Sequence, residues 1–132
     1  MQNCFLTIET TTDGVVSTIN RKGEMEKNDD GVFFRYREEN ALVSISLLKK
    51  QGRFVREGDY ALYIPLKEKA QTVGKIGFGD SVGNVNVFCE RFSYVVMNVG
   101  VLASIKYTLD FGNEKQEMQI RLTAREEKTE EK

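Results

Sequence analysis

Apolar and polar residues alternate with a period of two along most of the chain, and the 3.6-residue period of an amphipathic helix hardly occurs. Cys4, Leu6 and Ile8 alternate with Phe5, Thr7 and Glu9. Val32, Phe34 and Tyr36 alternate with Phe33, Arg35 and Arg37, and Val43, Ile45 and Leu47 with Ser44 and Ser46. The pattern returns at Val85, Val87 and Cys89, then along Val101, Ala103, Ile105, Tyr107 and Leu109, and finally at Met118, Ile120, Leu122 and Ala124. Each run has one apolar and one mostly polar face, as a strand with one side on a core requires. Residues 15–25 suit either parity, because Val15 and Val16 are adjacent and Gly23 interrupts the run.

Turn chemistry separates the runs. Asp13-Gly14 and Asp30-Gly31 are hairpin signals and predict positive φ at both glycines. Gln51-Gly52, Gly58-Asp59, Gly83-Asn84 and Gly112-Asn113 mark further turns. Pro65 is expected at the end of a strand over 60–64, where a lost ladder donor costs least. Residues 67–70 alone have helix-like composition, and they make no more than a turn. The spacing predicts an all-β fold of short strands joined as a single antiparallel meander. An apolar face with no helix to cover it must stack or curl, so the expectation is a closed or nearly closed barrel of about 8–10 strands. The barrel is assigned to residues 1–124. Residues 125–132 read Arg-Glu-Glu-Lys-Thr-Glu-Glu-Lys, offer nothing to bury, and are expected to be a disordered tail.

Composition narrows the function more by exclusion than by suggestion. With 132 residues, 40% apolar and 30% charged, the chain suits one globular domain. Nineteen basic residues against twenty acidic leave a net charge of -1, which argues against nucleic acid as a partner. The absence of His removes Ser-His and Cys-His nucleophile pairs and imidazole metal sites, so no enzyme, metal or cofactor is expected. Met1-Gln2-Asn3-Cys4-Phe5-Leu6 lacks the pattern of a signal peptide. The longest apolar stretch, 94–105, is broken by Asn98, Gly100 and Ser104 and falls short of the about 20 residues of a spanning helix. Cys4 and Cys89 read as small buried apolar residues kept reduced, and the expected location is cytoplasmic, with no membrane partner.

Three motifs resolve to turns or strand ends. Gly77-Phe78-Gly79-Asp80-Ser81-Val82-Gly83 resembles a phosphate loop, but a strand-like run follows it where an anion site needs a helix N-terminus. Asn28-Asp29-Asp30-Gly31 lacks the remaining ligands of a calcium loop. Glu38 and Glu39 are adjacent on a strand, so their carboxylates point to opposite faces.

Polar side chains on the apolar parity carry more information. Tyr36 and Glu38 continue the face of Phe34, and Arg56 shares that of Phe54. Tyr60 follows Leu62, Arg91 follows Cys89, and Tyr107 follows Ile105. These six residues are the candidate ligand site at the barrel mouth. Glu38 and Arg56 are expected to meet there, because each is costly alone and tolerable paired.

Tyr36-x-Glu38, the run 43–47, Val55-Arg56-x-Gly58 and Tyr107-x-Leu109 together resemble the YwiB-like family of small bacterial proteins, over roughly residues 14–124. The resemblance implies a calycin- or lipocalin-like β-barrel and brings no assigned activity. Two readings follow. In the first, the chain is a non-enzymatic binding module whose lumen holds a small, partly apolar or anionic molecule. In the second, the core is filled and the chain is a protein–protein interaction module, contacting its partner through Phe5, Phe33, Tyr63 and Phe88. No sequence feature supports a homodimer.

Overall fold

The structure, a computed structural model, describes residues 1–127. Ten strands follow one another: β1 (Gln2–Thr12), β2 (Val15–Asn28), β3 (Gly31–Glu38), β4 (Ala41–Leu48), β5 (Gln51–Gly58), β6 (Ala61–Lys67), β7 (Ala70–Phe78), β8 (Ser81–Met97), β9 (Gly100–Asp110) and β10 (Lys115–Glu126). Every strand pairs antiparallel with its sequence neighbours, and β1 pairs with β10 to close the barrel. Closure leaves one apolar face inside. There, 24 buried side chains from Cys4 to Ala124 form a single cluster.

The strands are unequal in length, so the walls are unequal in height. β3 to β6 have seven or eight residues each, whereas β1, β2, β8, β9 and β10 have eleven or more. The β1–β2 hairpin therefore rises above the β3–β4 rim at one end, and the β8–β9 hairpin overhangs the other.

The Asp13-Gly14 turn joins β1 to β2 with φ of 47° and 85°, as its sequence predicts. The second hairpin signal is shifted. Asp29 and Asp30 make that turn, with the Asp30 N–H donating to Asn28 Oδ1 at 2.8 Å. Gly31 is the first residue of β3, at φ 157°. Gly52, Gly58 and Gly83 likewise lie within strands and not in turns.

Pro65 also departs from its expected place. It sits inside β6 opposite Arg53 of β5, and the β6–β7 ladder stops at Tyr63. Beyond that point the Thr72 hydroxyl donates to the Pro65 carbonyl at 2.7 Å. Residues 67–70 form a tight connection, with Lys69 at φ 59°. At the C-terminal end β10 runs to Glu126, opposite Cys4, so Arg125 and Glu126 belong to the barrel and not to a tail. The disorder expected for the rest of that segment falls, for 128–132, outside the described residues.

Candidate functional site

Three consecutive strands bring the site together at the rim of the short wall. Cross-strand partners share a face, and the register sets Tyr36 opposite Val43, and Val43 opposite Arg56. Glu38 follows Tyr36 two positions on, at the end of β3. Arg56 is 7% exposed. Its Nε donates to Glu38 Oε2 at 3.3 Å, and its Nη1 donates to Asp59 Oδ1 and to the Tyr60 carbonyl, both at 2.8 Å. The guanidinium carbon lies 3.7 Å from the Tyr60 ring centroid, and Tyr60 stacks on Phe78 at 5.6 Å. The expected Glu38–Arg56 pair is thus present, and Asp59 in the β5–β6 turn adds a second carboxylate.

Electrostatics follow the same geometry. Desolvation lowers the Arg56 pKa, but the hydrogen bond to Asp59 and the neighbouring Tyr60, Asp59 and Glu38 outweigh it and hold the pKa above its ordinary value. The Asp59 carboxyl is held below its ordinary value, first by its hydrogen bond from Arg56. Burial, and then the Glu38 charge, push Tyr36 up to about 12. Tyr107 is raised too, by burial and then by Cys89.

The structure gathers Tyr36, Glu38, Arg56 and Tyr60, and leaves two candidates elsewhere. Tyr107 is on the inner face, opposite Cys89 and Met118, as its parity predicts. Arg91 is exposed on the outside, contrary to expectation. A β-bulge between Cys89 and Arg91 inserts Glu90 into β8 and inverts the alternation, so Phe92 and not Arg91 follows Cys89 inward. The bulge is held from the β6–β7 connection. The Lys69 N–H donates to the Cys89 carbonyl at 2.7 Å, and Glu68 Oε2 accepts from the Phe92 N–H at 3.2 Å.

Two rim residues were absent from the sequence reading. Asp59 carries only a turn signal in the sequence. Arg21 lies in the stretch of ambiguous parity, and its pairing with buried Leu6 places it on the inner face, near enough to Tyr36 to lower that residue's pKa.

The middle of the barrel is filled. Val43, Val87, Cys89 and Val101 have no exposed surface, and Leu6, Met25, Val32, Phe34 and Leu47 have 1%. A void wide enough for water would expose the side chains that line it, so none adjoins these residues. Among the described residues no three His, Cys, Asp or Glu side chains gather as metal ligands. No helix among them is long and apolar enough to cross a membrane.

No protein-family model matches the chain, and no curated protein matches it. Among solved structures it is similar to the ywiB protein from Bacillus subtilis, with a TM-score of 0.85 over 96% of this chain and 93% of that one. The fold is YwiB-like. The two sequences are 14% identical, so the likeness is one of fold alone.

Exposed apolar side chains lie both beside the Arg56 site, where Phe78 at 62% exposure stacks on Tyr60, and away from it. Phe5, Phe33, Tyr63 and Phe88, expected to form one patch, are dispersed over β1, β3, β6 and β8, and no two of them are cross-strand neighbours. Phe5 instead lies beneath Lys22 and Arg125, each within 5.6 Å of its ring centroid. Adjacent apolar side chains are exposed along the β8–β9 hairpin. Val95 and Leu102 face each other on its outer side at 60% and 44% exposure, and Val96, Met97 and Val99 are exposed at its tip. A groove of about 360 Å³ runs past Val95 and Leu102 to Thr123 and Arg121 of β10.

Proposed function

We infer that the protein is a non-enzymatic interaction module, and that the outer face of the β8–β9 hairpin receives a protein partner. The filled core carries this reading. A barrel without internal room offers its surface, and Arg56, the inward cation that would have held an anionic ligand in the lumen, already donates through Nε to Glu38 and through Nη1 to Asp59 and the Tyr60 carbonyl. The hairpin carries no charged residue from Phe92 to Ile105. Arg121 and Arg125 of β10 flank it, Arg121 opposite Glu9 of β1 and Arg125 over the Phe5 ring, and further along the hairpin stand Arg91 and Lys106, the latter paired with Glu90 at 3.4 Å. The complementary partner presents an apolar strip with acidic flanks, because desolvated apolar contacts at the centre supply affinity and rim charges supply orientation.

The ligand reading is supported only at the rim. There Ile19, Leu62, Ile76 and Met118 are half-buried on the inner face, and Arg21 shares the inner face of β2 with Ile19. A calycin-type relationship and a bacterial setting rest on the resemblance to the Bacillus barrel. The free, buried Cys4 and Cys89 suit a reducing compartment such as the cytoplasm.

A photo-crosslinking residue at Leu102 tests the proposal in cells, with the same residue at Tyr63 as control. A discrete adduct with one protein at position 102 and none at 63 is expected. Equal labelling at both sites, or native mass spectrometry showing a stoichiometric small molecule on the purified protein, overturns it.

A further inference from the structure

The β8–β9 hairpin has one edge that no strand covers. The ladder from β7 to β8 reaches only Ala70 opposite Cys89, whereas β8 continues to Met97 with β9 alone beside it. Antiparallel pairing turns alternate residues towards and away from the neighbouring strand. The Phe92 N–H donates to Glu68 Oε2 at 3.2 Å and so points away from β9. Tyr94 and Val96 follow in phase. Their N–H and C=O groups point into the lane left empty where β7 begins, and have no partner there among the described residues. Val96 has inner parity yet is 48% exposed, so the underside of this edge is open as well. From Phe92 to Met97 the edge carries neither charge nor proline, two of the devices that block strand addition.

Cations gather at the head of that lane. The Glu68 N–H donates to the Lys50 carbonyl at 2.9 Å, and the Lys69 N–H to the Cys89 carbonyl at 2.7 Å. These bonds bring the β4–β5 turn, the β6–β7 connection and the β8 bulge together. Lys49, Lys50, Lys67, Lys69 and Arg91 are exposed on them, and none pairs with a carboxylate among the described residues. The neighbouring carboxylates are engaged, Glu68 by the Phe92 N–H and Glu90 by Lys106. A cavity of about 430 Å³ opens there, lined by Glu68, Lys69, Phe88, Glu90 and Arg91.

We propose that an extended, acidic segment of the partner protein adds to this edge as a strand, antiparallel to β8 and in line with β7. The inference rests on the reading that the hairpin receives a protein. The empty lane continues β7, itself antiparallel to β8, and antiparallel pairing is the more stable per residue. Running this way, the segment enters beside Met97 and pairs as far as Ser93, because the outward N–H of Phe92 is already taken. Its C-terminal continuation then meets Lys69 and Arg91. Apolar side chains opposite Tyr94 and Val96 cover the open underside, and main-chain bonds to those two residues supply affinity. Carboxylates on the continuation answer the unpaired cations and fix the direction of binding.

Fluorescence anisotropy and amide hydrogen exchange with the labelled peptide Thr-Val-Thr-Val-Thr-Asp-Glu-Glu are the test. Saturable binding is expected, with the Tyr94 and Val96 amides about tenfold or more better protected in the complex. A peptide ending in Lys-Lys-Lys, or Lys69→Glu combined with Arg91→Glu in the protein, is expected to weaken binding about tenfold. Val96→Pro removes an outward N–H that β9 does not use and is expected to abolish binding, while Val96→Thr retains it. No binding at about 1 mM peptide, equal binding of the two peptides, or equal binding to Val96→Pro and the natural chain overturns the inference. Sedimentation with phosphatidylserine vesicles that Lys69→Glu abolishes and the peptide does not compete assigns this end to a bilayer, and overturns it too. The crosslink at Leu102 separates the two readings. An adduct that survives Val96→Pro refutes strand addition alone, whereas no adduct on the natural chain refutes the protein partner itself.

Discussion

Arg56 and Tyr60 form a closed unit at the rim of the barrel: the guanidinium covers the ring at 3.7 Å while its Nη1 donates to the carbonyl of the same tyrosine. A buried cation needs its donors satisfied and its face covered. One turn residue supplies the acceptor and the aromatic face, and Glu38 and Asp59 supply the charge. The unit ties the end of β3 to the β5–β6 turn and seals the short wall.

Arg56→Met is therefore expected to lower Tm more than Glu38→Gln or Asp59→Asn alone, because it removes the bonds to Glu38, Asp59 and the Tyr60 carbonyl together, whereas each single carboxylate variant leaves Arg56 one charged partner. Glu38→Gln combined with Arg56→Met should be less than additive in a double-mutant cycle read by thermal unfolding. Strict additivity would show that the 3.3 Å contact carries no coupling.

Glu68→Ala is expected to cost about 1–3 kcal/mol in urea unfolding, since it removes the acceptor of the Phe92 N–H beside the bulge. Hydrogen exchange gives an independent reading. The Phe92 amide should exchange faster in this variant, while amides of β1 and β2 stay unchanged.

Gly52→Ala is expected to destabilise by about 1–3 kcal/mol. A Cβ there would lie 2.1 Å from the Ser46 carbonyl oxygen and 2.7 Å from Phe92 Cζ, so both the β4 backbone and the ring must move. A change near zero would mean that this end of the barrel repacks freely.

Alkaline pH should weaken the fold in a defined window. Burial raises Cys4 and Cys89 from 9.0 to about 11 and Tyr36 from 10.0 to about 12. A group that holds its proton more tightly when folded contributes stability that is complete below its unfolded pKa and is lost as pH rises through its folded one. Tm should hold up to pH 9 and fall progressively towards 12, and Tyr36→Phe should flatten the upper part of the decline. Both thiols should react slowly with a thiol reagent until the protein unfolds. Rapid labelling of native protein would contradict their burial.

The legible part of the site was the part carried by unbroken alternation. Tyr36, Glu38 and Arg56 continue uninterrupted runs on β3 and β5, and register alone then sets Glu38 near Arg56 across β4. Arg91 failed because the bulge at Glu90 adds one residue, and one residue reverses a two-residue period. Nothing local announces that insertion, since its partners are Glu68 and Lys69 on another strand connection. The glycine signals divided in the same way. Gly14 answers to its own turn, whereas Gly52 answers to Ser46 and Phe92, which only the assembled barrel brings to it.

By itself the sequence determined an all-β meander and the inner face of most of its strands, because alternation and turn chemistry act between residues a few positions apart. Tertiary structure decided where the meander closes, through β1 and β10 at opposite ends of the chain, and that its middle is packed solid. It also decided which exposed apolar residues adjoin one another, those of the β8–β9 hairpin, while Phe5, Phe33, Tyr63 and Phe88 stand apart. These outcomes depend on strand length, wall height and a single inserted residue. Each is a property of strands packed against one another, and no short window of sequence contains both partners.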